Sequence, residues 1–332
     1  MEETGMVRNR LCSRSSGIGF ALLLATLSAL AGAQAFPSKP IRWIVAFPPG
    51  GAVDIVARMT GPRLAASLGQ QVIVDNRAGA AGIVGTDIAA KSPPDGHTWF
   101  IGTLGNLAAN PMLYKKLPFD IVRDFAPITH VVDIWFILIA HPSLPVKSVK
   151  ELIALAKARP GELNFSSSGA GGGPHLAIEL LNSMAGTRMT HVPYKGSGPG
   201  MTDLLAGHVQ LTIDSVVQSL PYVKAGRLRP IAITGAKRTP LLPEVPTVGE
   251  SLRGYDVTNW FGLVVPAATP PEIRARIHAE VVKVLLAPDI KERLLSMGAE
   301  PVANTPEAFG AFMKAETVKW GKVIRDAKIP AQ

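Results

Sequence analysis

Short runs of β-branched and aromatic residues alternate with helical patterns along most of the chain, and this rhythm limits the fold more than any other feature. The runs fall at 41–46, 71–75, 98–102, 135–140, 163–166, 189–192, 209–213, 229–234 and 258–265. Between them, residues 52–68, 148–158, 174–185, 197–206, 271–287 and 305–326 have helical periodicity. A helix between two strands carries the chain back to its starting end, so the next strand lies parallel to the first. The alternation therefore predicts an α/β fold with parallel pairing. Local signals agree. Ser148 with Glu151 three residues on is a capping box, and Thr305-Pro306-Glu307 is a cap followed by proline at the first helical position.

Two of the strand-to-helix connections have almost no side chains. Residues 47–58 read FPPGGAVDIVAR, and residues 163–180 read LNFSSSGAGGGPHLAIEL. A helix start carries up to four unpaired N–H donors and roughly half a positive charge, which favours carboxylates or phosphates without any arginine. Glycine lets a ligand approach those donors closely. Gly50 and Gly51 are expected to open the helix at 52–68 to an anion in this way, with backbone strain on substitution if Gly51 has positive φ. Two such loops suit the two ends of a small dianion. The bland alternative for each is an ordinary tight turn. Nucleotide motifs fit poorly: Gly79, Gly82 and Gly85 lack the dinucleotide spacing, and there is no P-loop.

The first 35 residues read as a cleavable signal peptide. Arg8, Arg10 and Arg14 precede an apolar stretch at 18–31, and Ala33-Gln34-Ala35 fits the small-x-small rule. Fourteen residues fall short of the ~20 that span a bilayer, and no later segment suggests a membrane-spanning helix. Cys12, the single cysteine, would leave with the leader, so no disulfide or thiol chemistry is expected. Hydrophobic residues make up 47% of the chain, enough for a large core, and the net charge of +9 favours anionic partners. Lysines and arginines are scattered and aromatics are not interleaved with them, which argues against nucleic acid. No HExxH, HxH or Cys/His cluster suggests a metal, and no cofactor is expected.

Several stretches together resemble one family, the periplasmic solute receptors of tripartite tricarboxylate transporters, or Bug proteins. They are FPSKPIRWIVAFPPGGAVDIVAR (36–58), LGQQVIVDNRAGAAGIVGT (68–86), PPDGHTWFIGT (93–103), HVPYKGSGPGMTDLLAGHVQL (191–211), LPEVPTVGE (242–250), NWFGLVVPAATP (259–270) and FMKAETVKWGKVIRDAKI (312–329). The family commonly has Pro and Gly where this chain has Ala78 and Ala81, and hydroxyl residues where it has Gly172 and Gly173. The resemblance implies an α/β, type II-like periplasmic binding protein with a mixed or mainly parallel sheet in each of two lobes. It implies a non-catalytic monomer that captures a small carboxylate or dicarboxylate and hands it to the transporter's membrane components. Residues 36–132 and 236–332 are expected to form one lobe and 133–235 the other, with crossings near 129–135 and 233–240.

By the same resemblance, Phe47, Gly50, Gly51 and Asp54 line the cleft from the first lobe, with Thr103 and Asn106 beside them. Ser166, Ser167, Ser168, Gly169 and His175 belong to the second loop, and Tyr194, Lys195 and Asp214 to later strand ends. Each has a plainer reading. Asp54 suits the first helical turn as a cap, His175 can brace its loop, and Lys195 can be a solvated charge. Thr103 and Asn106 can be turn residues, and Asp214 can cap the following helix. Two other functions have the same residues available: a sensor protein for a membrane kinase, and a hydrolase using Ser166–Ser168 with His175. The second would require a nucleophile and base within hydrogen-bond reach.

If residues 8–35 act as an export signal, protein recovered after export begins at Phe36. Intact-mass measurement checks this, and retention of Cys12 in the exported chain would reject it.

Overall fold

The strand and helix pattern expected from the sequence is largely present in the computed structural model, which describes residues 1–2 and 36–331. The signal-peptide stretch 8–35, with Cys12, lies outside the described residues. The strands are β1 (Ile41–Val45), β2 (Val72–Asn76), β3 (Thr98–Thr103), β4 (Phe125–Ile134), β5 (Phe136–Ala140), β6 (Asn164–Ser167), β7 (Thr190–Pro193), β8 (Leu211–Ser215), β9 (Arg229–Ile233), β10 (Asn259–Pro266) and β11 (Ala299–Pro301). They form a sheet ordered β11-β4-β10-β3-β1-β2 and a second ordered β7-β6-β8-β5-β9.

Both sheets are mixed, and each parallel part comes from strand–helix–strand units. β1 pairs in parallel with β2 and β3, as β6 does with β7 and β8. The antiparallel members are β10 and β11 in the first sheet, and β5, which joins β8 to β9, in the second. Strands in the middle of each sheet are covered on both faces, so β3, β5, β8 and β10 are buried along their whole length. Edge strands β2 and β7 are only partly covered. Pro193 ends edge strand β7, where a missing N–H costs little pairing. Trp43 of β1 meets Trp99 of β3 edge to face at 5.9 Å, and the indoles of Trp260 and Trp320 both donate to Glu316 Oε2.

The helix at Ala52–Leu68 has the predicted bounds and ends on left-handed Gly69. The Val149–Ala158 helix starts at Ser148, whose Oγ accepts from Glu151 N. The second half of that capping box is shifted by one residue, since Glu151 Oε2 accepts from Lys147 N. The pattern at 271–287 is the helix Pro271–Leu285, and a further helix that the sequence reading did not include, Pro288–Met297, follows it, with Pro288 in its first turn.

Some elements escaped the sequence reading. Residues 129–135, read as a crossing, belong mostly to the ten-residue strand β4, leaving Trp135 alone between β4 and β5. Pro127, Thr129, His130 and Asp133 hide the apolar run. Register shifts against β10 let the strand pass Pro127. The helices Ile83–Ala90 and Val216–Lys224 were missed as well. The link from β9 to β10 spans 234–258 and includes a short 3₁₀ turn at Val248–Glu250, closed by a Thr247/Glu250 capping box.

Ala81 sits in the left-handed region at φ 50° and ψ 33°. A Cβ in that conformation costs roughly 1–2 kcal/mol, part of which glycine gives back as unfolded-chain entropy. Ala81→Gly is expected to stabilise the fold by about 0.5–1 kcal/mol, or about 2 °C in Tm. Calorimetry checks this. A lower Tm would mean that the Ala81 methyl contributes more by packing than it costs in strain.

Candidate functional site

The carboxyl ends of the parallel strands and the first residues of β5 and β10 meet in one narrow cleft between the two sheets. Phe47, Gly51, Ala52 and Val53 follow β1, and Thr103 ends β3. Ser168, Gly173 and Pro174 follow β6, Ser197 follows β7, and Asp214 and Ser215 end β8. Phe136 opens β5, while Asn259 and Phe261 open β10. This is where open α/β sheets place their ligands. The cavity is about 40 Å³, room for one or two waters at the roughly 30 Å³ each takes in the liquid.

The cleft is narrow because its walls touch. Tyr114 donates from its hydroxyl to Ala170 O at 2.9 Å. A Cβ added at Gly105 would lie 3.0 Å from Gly171 O, and one added at Gly196 would lie 2.5 Å from Pro48 Cδ. A larger groove of about 770 Å³ runs between residues 107–127 and the Pro306–Asp326 helix. It touches neither glycine loop and has the more apolar walls, so we assign the candidate site to the cleft on chemistry and not on size.

Both loops deliver helix starts with no side-chain cap. Gly51 is the N-cap of Ala52–Leu68 and Gly172 that of Gly173–Ala185, and in neither case does a side chain accept from the first N–H groups. The first turns of both helices line the cleft. The strain expected at Gly51 is absent: its φ is −78°, and the positive φ falls one residue earlier, at Gly50 (86°).

The predicted residues divide into three groups. Phe47, Gly51, Thr103, Ser168 and Asp214 line the cleft. Others support it from behind. Gly50 N donates to Asp54 Oδ2, and Arg58 and Asn76 donate to Asp54 Oδ1, so Asp54 ties the first loop together. Burial alone would raise its pKa, but those hydrogen bonds and the Arg58 charge hold it below the usual carboxylate range. Asn106 is fully buried. Its Oδ1 accepts from Thr103 Oγ1 and its Nδ2 donates to Ala81 O, which fixes the end of β3. Gly169 takes φ 122° to turn the second loop, and His175 Nδ1 accepts from Gly171 N. The third group lies off the cleft. Ser166 is buried beside a narrow crevice that adjoins the cleft at Ser168, Pro174, Ser197 and Asp214, the Tyr194 hydroxyl donates to Asp203, and Lys195 is exposed.

A serine–histidine pair does exist: Ser167 Oγ lies 2.5 Å from His191 Nε2. It braces the loop. Ser167 Oγ also accepts from Gly169 N and does not line the cleft. His191 stacks against both His175 and Phe165, and burial pushes it down to about 4. Burial and the neighbouring His191 push His175 down to about 3. No Asp or Glu ion pair to His191 occurs among the described residues, so the pair lacks the acid that orients a catalytic imidazole.

Sequence reasoning missed Ala52, Val53, Phe136, Gly173, Pro174, Ser197, Ser215, Asn259 and Phe261 as lining residues. Asn259 and Phe261 lie in the NWFG stretch, where an asparagine among buried aromatics was the available signal. The Asn259 Oδ1 is buried with no hydrogen-bond partner. Asp214 does not cap the next helix. Ser215 does, accepting from Gln218 N, while Asp214 Oδ1 accepts from Ser215 N at 2.7 Å.

Gly105 opens the π-helical turn Gly105–Ala109, lies outside the left-handed region and meets the opposite wall, so Gly105→Val is expected to hold the walls apart without left-handed strain. Overpacking of about 1–3 kcal/mol lowers ligand affinity about 5- to 150-fold. Titration calorimetry with a small dicarboxylate, alongside far-UV circular dichroism for folding, checks this. Unchanged affinity would mean that this contact yields without cost.

Comparison with known proteins agrees with the geometry. Residues 56–329 match the model of the tripartite tricarboxylate transporter family receptor, TctC. The chain is 36% identical to Protein BugT of Bordetella pertussis, over 93% of this chain and 95% of that one. It is 40% identical to a protein of the tcbD-tcbE intergenic region of Pseudomonas sp. strain P51, over 94% of both. Among solved structures, R. palustris Rpa4515 with adipate is 38% identical at a TM-score of 0.87, covering 89% of this chain and 99% of the other. MatC of Rhodopseudomonas palustris with bound malate is 31% identical at 0.84, covering 87% and 100%. The periplasmic binding protein BugD is 32% identical at 0.86, covering 90% and 100%. This chain belongs to the TctC/Bug family of solute-binding receptors, which are not enzymes.

Proposed function

We propose that the protein is a periplasmic receptor that captures a small organic acid, a carboxylate or dicarboxylate, and passes it to the membrane components of a tripartite tricarboxylate transporter. The observation that carries this reading is the meeting of two uncapped helix starts in one cleft. Preorganised N–H donors satisfy a carboxylate with little reorganisation. The adipate and malate in the related structures support the ligand class, and family membership supports the transporter. Export by the leader at 1–35 is part of the same reading.

The lobes around the two sheets close on the ligand as hinged bodies, with Trp135 and the 234–258 link as the crossings. A ligand held by both walls favours the closed form by the contacts that only that form supplies. A sensor for a membrane kinase would use the same cleft.

The test is titration calorimetry against adipate, malate and related C4–C6 acids, with uncharged diamides of the same length as controls. Micromolar or tighter binding of at least one acid, and none of the diamides, is the expected result. Equal binding of acid and diamide would sink the carboxylate reading.

A further inference from the structure

Asp214 is an acid in the wall of a cleft that is read as an anion site. The residue is 4% exposed. No Lys, Arg or His lines the cleft with it, and Asp214 forms none of the ion pairs found among the described residues. Its help comes from neutral donors: the Ser215 N–H at 2.7 Å and the Ser197 side chain. Asp54, by contrast, is equally screened from solvent but less deeply enclosed, and it has the Arg58 guanidinium at 2.8 Å. An anion entering beside an ionised Asp214 would set two negative charges together in a poorly solvated space with no cation to offset them.

We propose, resting on the carboxylate reading above, that Asp214 meets the ligand as a neutral carboxylic acid and shares one proton with a ligand carboxylate. Capture takes that proton from solvent, and release returns it. Asp214 is then a specificity residue: its O–H donates to an acceptor on the ligand, where an ionised Asp214 would demand a donor.

The surroundings fit. Burial pushes the Asp214 carboxyl up to about 7, against the lowering effect of Ser215 N–H and Ser197. The groups on the elements packed around it are committed elsewhere. His175 and Glu179 lie on Gly173–Ala185, with Glu179 raised chiefly by burial. His191 is hydrogen-bonded to Ser167, Tyr194 to Asp203, and Lys195 and Lys224 are exposed. Across the cleft, Asp54 is held by Arg58, and Asn259 is uncharged. With His175 at about 3, His191 at about 4 and Tyr194 at about 12, none of these three changes charge between pH 6 and pH 8.

The probes are adipate and malate, both essentially dianions above about pH 6. Binding that needs the protonated acid is strong below the pKa of the free protein and lost above it. With that value near 7, affinity falls about tenfold from pH 6 to pH 8. At pH 8, calorimetry in buffers of differing ionisation enthalpy should give uptake of about 0.9 proton per ligand. Asp214→Asn, which fixes a neutral side chain, should bind without proton uptake and about tenfold more tightly than the wild type at pH 8. Binding with flat affinity and no uptake in the wild type would overturn the inference and leave the carboxylate reading intact. So would tighter binding of an ammonium-bearing acid such as aspartate than of malate at pH 8, again without uptake. No binding of either dicarboxylate at any pH from 5 to 8 would overturn both. If the variant does not fold, the wild-type uptake measurement decides alone.

Discussion

The free N–H groups that open the Ala52–Leu68 and Gly173–Ala185 helices are the constraint around which the rest of the molecule is arranged. Buried backbone donors must find partners, and a helix start without a side-chain cap leaves several of them waiting. The two starts lie beyond the carboxyl ends of β1 and β6, and a third helix start without a side-chain cap, at Ser197–Leu205 after β7, brings Ser197 to the same cleft. The antiparallel strands β5 and β10 bring Phe136, Asn259 and Phe261 to the same place. Much of the remaining polar structure holds these loops still. Asp54, Arg58 and Asn76 tie the first loop, Asn106 anchors the end of β3, and Ser167, His175 and His191 brace the second.

The two walls approach so closely because little side chain stands between them. At Gly105 and Gly196 the backbone itself is the contact surface, and a Cβ would press on the opposite wall. A cleft built this way leaves only about 40 Å³ and little room for bulk water. Low local dielectric then strengthens each hydrogen bond to a bound anion.

That same dryness separates the two buried acids. Asp54 has a guanidinium and two further donors, so its charge is stable where it stands. Asp214 has only neutral donors and faces the ligand space. The basic balance of the whole chain does not reach that point, because the lining carries no Lys, Arg or His. Net charge can draw organic acids toward the surface, but the cleft itself presents backbone dipoles and neutral polar groups beside Asp214.

Periodicity determined the α/β class, the positions of nine of the strands and the Ala52–Leu68 helix, because strand and helix repeats are local properties of the chain. Glycine-rich loops before helices marked the two uncapped helix starts that line the cleft for the same reason. β4 was hidden because Pro127, His130 and Asp133 are polar or unsuited to a strand alone. They are tolerated only beside β10 and the packed rings of Trp260, Phe309 and Phe312. Only the tertiary structure decided which candidates meet. Thr103, Ser168 and Asp214 come from strand ends distant in sequence and share one wall-to-wall space. Asp54, Asn106 and His175 carry equally suggestive chemistry but turn toward neighbours. Asn259 was legible only as a polar residue among aromatics, since nothing local tells whether a buried asparagine at the start of a strand will find its partner in protein or in ligand. That depends on what the opposite sheet places in front of it.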